Sequence, residues 1–177
     1  MAAADVLVYG LAGVASVAAL GTTLPTDATT AFSAGTSLGE ISGEDGFEDA
    51  YDSEGEVVAR RWTGEPLVIA TPETTETYTF TCLEESEQVR EFVRPGTVTD
   101  NAQLSGVPSN AGQVFVFTVR ANSGAYKRIV VPRGVVTSRE PVLHANGEVT
   151  AYKVTVTAIY DATLTACSKT YWSALTS

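Results

Sequence analysis

At 177 residues the chain is long enough to bury a real core and short enough to form one domain. With 44% hydrophobic and 18% charged residues its composition is that of an ordinary soluble protein, and abundant Thr, Val and Ala with little helical periodicity favour an all-β fold. The net charge of −10 is concentrated: ten of the 21 acids and none of the eleven bases fall in residues 1–59, which excludes a chain built to neutralise phosphates and hold nucleic acid tightly.

Residues 1–20 are mostly Ala, Val, Leu and Gly, but Asp5 interrupts the run and the first basic residue is Arg60, so neither an export signal nor a membrane span is expected. Within that segment, residues 5–9 and 14–20 read as two short strands around a turn at Gly10-Leu11-Ala12-Gly13. Pro25 presets a turn, and Asp27 either caps a short helical turn over 28–31 or sits in an ordinary loop.

Residues 38–42 read as a strand, followed by a turn at Gly43-Glu44-Asp45-Gly46. Phe47 and Tyr51 alternate with acids, residues 56–62 form another strand, and residues 66–71 a further one. Across residues 73–82, Thr75, Thr77, Thr79 and Thr81 share one face, with Tyr78, Phe80 and Cys82 on the other, so Cys82 is expected in the core.

Residues 84–93 give the one convincing helix, with Val89, Phe92 and Val93 on a face that must pack against a sheet, and Pro95-Gly96 ending it. Residues 100–112 read as a polar loop. Residues 113–121 and 125–131 form a hairpin through Asn122-Ser123-Gly124. Its first strand is apolar on both faces, hence buried on both, within the subunit or against a neighbour. After Pro132-Arg133-Gly134 comes a strand at 135–138. Asn146-Gly147 is the strongest hairpin signal, and from it runs the clearest strand, with Tyr152, Val154, Val156, Ala158 and Tyr160 on one face; residues 167–172 close the chain.

No pattern for catalysis is found. His144 stands alone, and there is no nucleophile elbow, phosphate loop, paired His or CxxC. The acids of residues 40–56 lack the spacing of a calcium loop, which leaves a solvated acidic loop or an acidic surface with a role in repelling a polyanion or pairing with another subunit. Cys82 and Cys167 fit no metal spacing and are expected as free thiols. No cofactor and no enzyme activity are expected.

The ordered series Val14 to Leu20, Thr22-Thr23-Leu24-Pro25-Thr26-Asp27, Leu38-Gly39-Glu40-Ile41-Ser42-Gly43-Glu44-Asp45-Gly46, Trp62 and the alternating strand from Gly147 to Ala158 resembles the major tail (tail tube) proteins of long-tailed bacteriophages. The resemblance implies a β-sandwich or small barrel with one short flanking helix, the helix corresponding to residues 84–93, and an extended acidic hairpin or loop at about 41–62 that reaches a neighbouring ring. It further implies a structural virion protein that assembles in the host cytoplasm into stacked hexameric rings. These would form a conduit through which DNA passes without specific binding, with tape-measure and tail-completion proteins as partners. Tubes of bacterial injection machines share the fold family.

On that reading Glu40, Glu44, Asp45, Glu48, Asp49 and Asp52 face either the lumen or an adjacent subunit. Arg60 and Arg61 either pair with a neighbour's acids or are ordinary surface arginines, and Trp62 is a core or interface plug. Two rival readings share the β content: another virion protein, such as a capsid decoration or tail-completion protein, and a secreted β-sandwich binding module.

Overall fold

A computed structural model describes residues 9–54, 57–60, 62–64, 66–69, 73–99, 102–106, 111–121, 124–140 and 151–173. Residues 5–8 of the strand expected at 5–9, Arg61, most of the Asn122-Ser123-Gly124 turn, and the segment holding His144 and Asn146-Gly147 therefore lie outside the described residues.

One antiparallel sheet dominates. It contains β1 (Tyr9–Ala18), β2 (Thr36–Glu40), β3 (Phe47–Glu54), β6 (Glu73–Cys82), β9 (Gln113–Ala121), β10 (Tyr126–Arg139) and β11 (Tyr152–Ala158), in the order β2-β1-β9-β10-β11-β6-β3. A short strand, β12 (Lys169–Trp172), pairs with the first half of β10. Two small hairpins stand apart from this path: β4 (Val57–Arg60) with β5 (Pro66–Ile69), and β7 (Gly96–Thr99) with β8 (Ala102–Ser105). The helix α1 is Glu87–Val93. The fold is all-β with one short helix, as the sequence implies.

The sheet curls because two consecutive residues bond to distant strands in its order. Ile41 N–H donates to Gly13 O of β1 at 2.8 Å, and Ser42 N–H donates to Thr81 O of β6 at 2.9 Å. This clasp draws β1 and β6 together and turns the open sheet into a partly closed barrel. The chain then reverses through residues 43–46, where Gly46 adopts φ 71° and its N–H donates to Ser42 O, and β3 runs back along β6.

The barrel is filled by aromatic rings. Phe117 lies 4.9 Å from Phe47, 5.4 Å from Tyr78 and 5.2 Å from Phe80, centroid to centroid, and Phe92 of α1 reaches Phe80 and Phe115. Val154 and Val156 complete the floor, following the period of two expected for β11. Gly134 is required here by close approach, since a Cβ would stand 2.7 Å from the Phe115 ring and 2.8 Å from Val156.

The outer face of β9 is covered within the subunit. Val114 and Val116 pack with Ala18 and Val130 under Leu24, Phe32 and Tyr171. The segment over 27–32 is held by a buried cation: Arg128 donates from Nη1 to Asp27 O (2.9 Å) and Thr30 O (2.6 Å), and from Nε to Thr118 Oγ1 (3.1 Å). Asp27 forms no helix cap. Its carboxylate accepts from the N–H groups of Thr29 and Thr30 in a local turn.

Four boundaries differ from the sequence reading. The expected turn at 10–13 is a register shift inside a continuous β1, because β9 is long enough to pair with both halves. Likewise β10 does not break at Pro132. The ladder with β9 shifts register between Val131 and Gly134, which accommodates a residue with no N–H to give. The helix begins at Glu87 rather than 84, because Ser86 Oγ accepts from Val89 N–H and caps it. Finally, the expected loop at 100–112 includes β8, paired with β7. Gln103 of β8 donates from Nε2 to Arg90 O and Arg94 O, satisfying carbonyls at the helix C-terminus.

Candidate functional site: an acidic threonine-lined face and a projecting arm

An acidic hairpin or loop is expected at about 41–62. In the structure residues 41–46 form the clasp, β3 pairs with β6, and β4, which follows β3 in sequence, pairs with β5. Among the described residues β4 and β5 contact chiefly each other and form an arm separate from the main sheet. At its tip Trp62 exposes its whole side chain. Of the two expectations for Trp62, a core plug or an interface plug, its full exposure among the described residues agrees with the second alone. Arg60 closes β4 opposite Pro66.

β3 is the last strand in the sheet order, and among the described residues no strand pairs with its outer edge. An open edge is a template for further pairing, and charge on it controls which partners are accepted. The register sorts its acids onto two faces. Glu48 stands opposite Thr79 and Asp52 opposite Thr75, while Asp49 stands opposite Tyr78 on the other face. Asp49 is engaged within the subunit: its carboxylate accepts from Lys127 Nζ of β10 at 2.8 Å. The pair is part-exposed, so it contributes about 0–1 kcal/mol.

Glu48 and Asp52 border a band of hydroxyls. Thr79 and Thr155 bond through their Oγ1 atoms at 3.1 Å, and Thr137 and Thr157 at 3.0 Å, across β6, β11 and β10. Lys153 lies on the same face opposite Thr81, and its charge is paired with Glu140 at 3.2 Å. The result is a polar surface of hydroxyls and carboxylates whose cation on β11 is already occupied. Glu44 and Asp45 are exposed in the clasp turn, and Glu40 is exposed at the end of β2 with its N–H 3.4 Å from Glu84 Oε1. Val89, Phe92 and Val93 of α1 are buried against the barrel.

Groups with reactive potential are held protonated. Burial, reinforced by the Glu84 charge, pushes the Cys82 thiol up to about 12, and burial with Glu76 nearby raises Cys167. Both are free thiols without thiolate character at neutral pH. Desolvation likewise raises the Tyr78 phenol far above its usual range. Among the described residues no three His, Cys, Asp or Glu side chains converge as a metal site, and no helix is long and apolar enough to cross a membrane.

Among the described residues, then, the all-β fold leaves the acidic edge of β3 unpaired, and the β4–β5 arm contacts chiefly itself. The chain matches the family model described as phage tail tube protein over residues 1–172, and it belongs to that family. It is therefore a structural component of a phage tail, of a family that assembles with itself into a tube. Comparison with curated proteins gives no match.

Proposed function

We propose that copies of this chain close into hexameric rings that stack into the tail tube, and that the face bearing Glu48, Asp52 and the threonine band lines the channel through which DNA enters the host. The observation that carries this is the register of β3 on β6, which sets two unpaired carboxylates beside a carpet of mutually bonded hydroxyls. Among the described residues such a wall offers no unpaired cation for phosphate to displace counterions against, so the polyanion slides without adhering. Screening over about 8 Å at physiological salt means that charges on the wall itself decide this.

The open edge of β3 supplies backbone groups for joining to a neighbour within the ring, and the arm reaches the adjacent ring. Glu44 and Asp45, exposed on the clasp turn, face another subunit. Arg60 and Arg61, which precede Trp62 in sequence, pair with a neighbour's acids. Tape-measure and tail-completion proteins bind the finished tube, which is built in the host cytoplasm. Sedimentation and negative-stain microscopy of the purified protein test this reading: rings or tubes are expected, and a strict monomer at high concentration in several salts would overturn it.

A further inference from the structure

Two features of the chain match each other although they lie on different parts of it. One is Trp62, an indole presented in full to solvent at the end of the arm. The arm gives it reach, since the residues between the end of β3 and the tip span up to about 25 Å when extended. The other is a cleft of about 600 Å³ between the end of β1, α1 and the second half of β10, walled by Ala18, Leu20, Phe92, Pro95 and Val136, with Arg139 inside it. The guanidinium of Arg139 is partly desolvated, and its Nε is buried without a hydrogen-bond partner among the described residues. Glu91 and Gln88 of α1 stand on the rim.

We propose that Trp62 of one copy seats in this cleft of a neighbouring copy, its ring face over the Arg139 guanidinium and its indole N–H donating to Glu91. The inference rests on the self-assembly reading and adds the seat to it. An aromatic plate suits a cleft of this composition better than an anion does. The apolar walls desolvate it, the cation is attracted to its quadrupole face, and the rim carboxylate that would repel an anion accepts from the N–H. The volume is ample for one indole and the loop that carries it. Charge agrees as well: Arg60 flanks the tip in sequence, and the helix rim it would approach carries the carboxylate of Glu91.

Trp62 and Trp172 are the two tryptophans, so a Trp172→Phe background leaves Trp62 as the sole indole reporter. Its fluorescence is expected to be freely quenched by acrylamide in the monomer, and blue-shifted and shielded several-fold in assembled particles. In parallel, a Thr63→Cys and Gln88→Cys pair, with Cys167→Ser, is expected to form covalent ladders between copies on mild oxidation of assembled material. Particles in which Trp62 stays as quenchable as in the monomer overturn the inference while leaving self-assembly intact. So does a shielded Trp62 without the 63–88 cross-link, which means another seat, or a Trp62 already shielded in the monomer. Failure to assemble at all removes the self-assembly reading and this seat together.

Discussion

Arg128 and Asp27 are joined by a 2.9 Å hydrogen bond from the buried guanidinium Nη1 to a backbone carbonyl, about a hundred residues away in sequence. Through it a cation near the start of β10 fixes the turn that covers the outer face of β9. The charge is tolerated because two carbonyls and a hydroxyl satisfy its donors.

Replacing Arg128 with Leu leaves the carbonyls of Asp27 and Thr30 without their donor and is expected to cost about 2–4 kcal/mol. Lysine does not restore it, since one ammonium cannot reproduce the planar fork. Urea titration of both variants measures the loss. A shift under about 1 kcal/mol for Arg128→Leu would mean that the turn is not held by this contact.

Acid should act through Asp27. Hydrogen bonds from the Thr30 backbone first, then from the Thr30 side chain and the Thr29 backbone, hold its carboxyl well below the usual carboxylate range. A depressed folded-state value contributes stability that is present above the unfolded value of 3.8 and is lost as pH falls below it. Asp27→Asn keeps an acceptor but no titrating charge. Its melting temperature is expected to lie below that of the parent at neutral pH and to converge with it towards pH 2, following the sign of proton linkage. Parallel curves across that window would refute the assignment.

The two thiols should separate by accessibility. Native protein treated with a thiol reagent at neutral pH is expected to react at half-buried Cys167 before Cys82, which is buried and labels after unfolding. With its folded-state value raised to about 12, Cys82 favours the native state below the unfolded value of 9.0, and that contribution fades as pH climbs from there towards 12. Equal labelling rates in mass-spectrometric mapping would contradict the buried placement.

Charge reversal distinguishes the acidic positions. Glu48→Lys with Asp52→Lys is expected to leave rings and tubes intact but to slow DNA ejection, because lysines on the wall recruit phosphate. Glu44→Lys with Asp45→Lys is expected to impair stacking of folded subunits. Circular dichroism controls for folding, and electron microscopy with an ejection assay reads the outcome. Normal tubes from the second variant would falsify a subunit-facing role for the clasp turn.

Ring packing is the most sensitive part of the core. Phe117 touches Phe47, Tyr78, Phe80 and Phe115, so Phe117→Ala is expected to cost about 3–5 kcal/mol, with the loss read by denaturant unfolding.

The alternating segments declared themselves in the residues. Side chains at 73–82 and 152–158 repeat every two positions, and that period belongs to a strand wherever it is placed, so the buried and exposed faces of β6 and β11 could be read directly. The two-sided apolar pattern of β9 and the burial of Cys82 were legible for the same reason. β7 and β8 were not, being four residues each, small and polar, and held by pairing with each other and by Gln103 at the helix end, a contact that no local pattern encodes. Continuity through Pro132 and across 10–13 was equally hidden, because only the long partner β9 makes a register shift cheaper than a turn. Local chemistry therefore determined that this is an all-β chain with one amphipathic helix and an acidic first third. Tertiary structure decided the rest: that Ile41 and Ser42 clasp β1 to β6, that Asp49 turns inward to Lys127 while Glu48 and Asp52 face the threonines, and that Trp62 stands clear of its own subunit. Each of these depends on which distant strand a residue meets, and hydrogen-bond partners far apart in sequence leave no periodic trace in it.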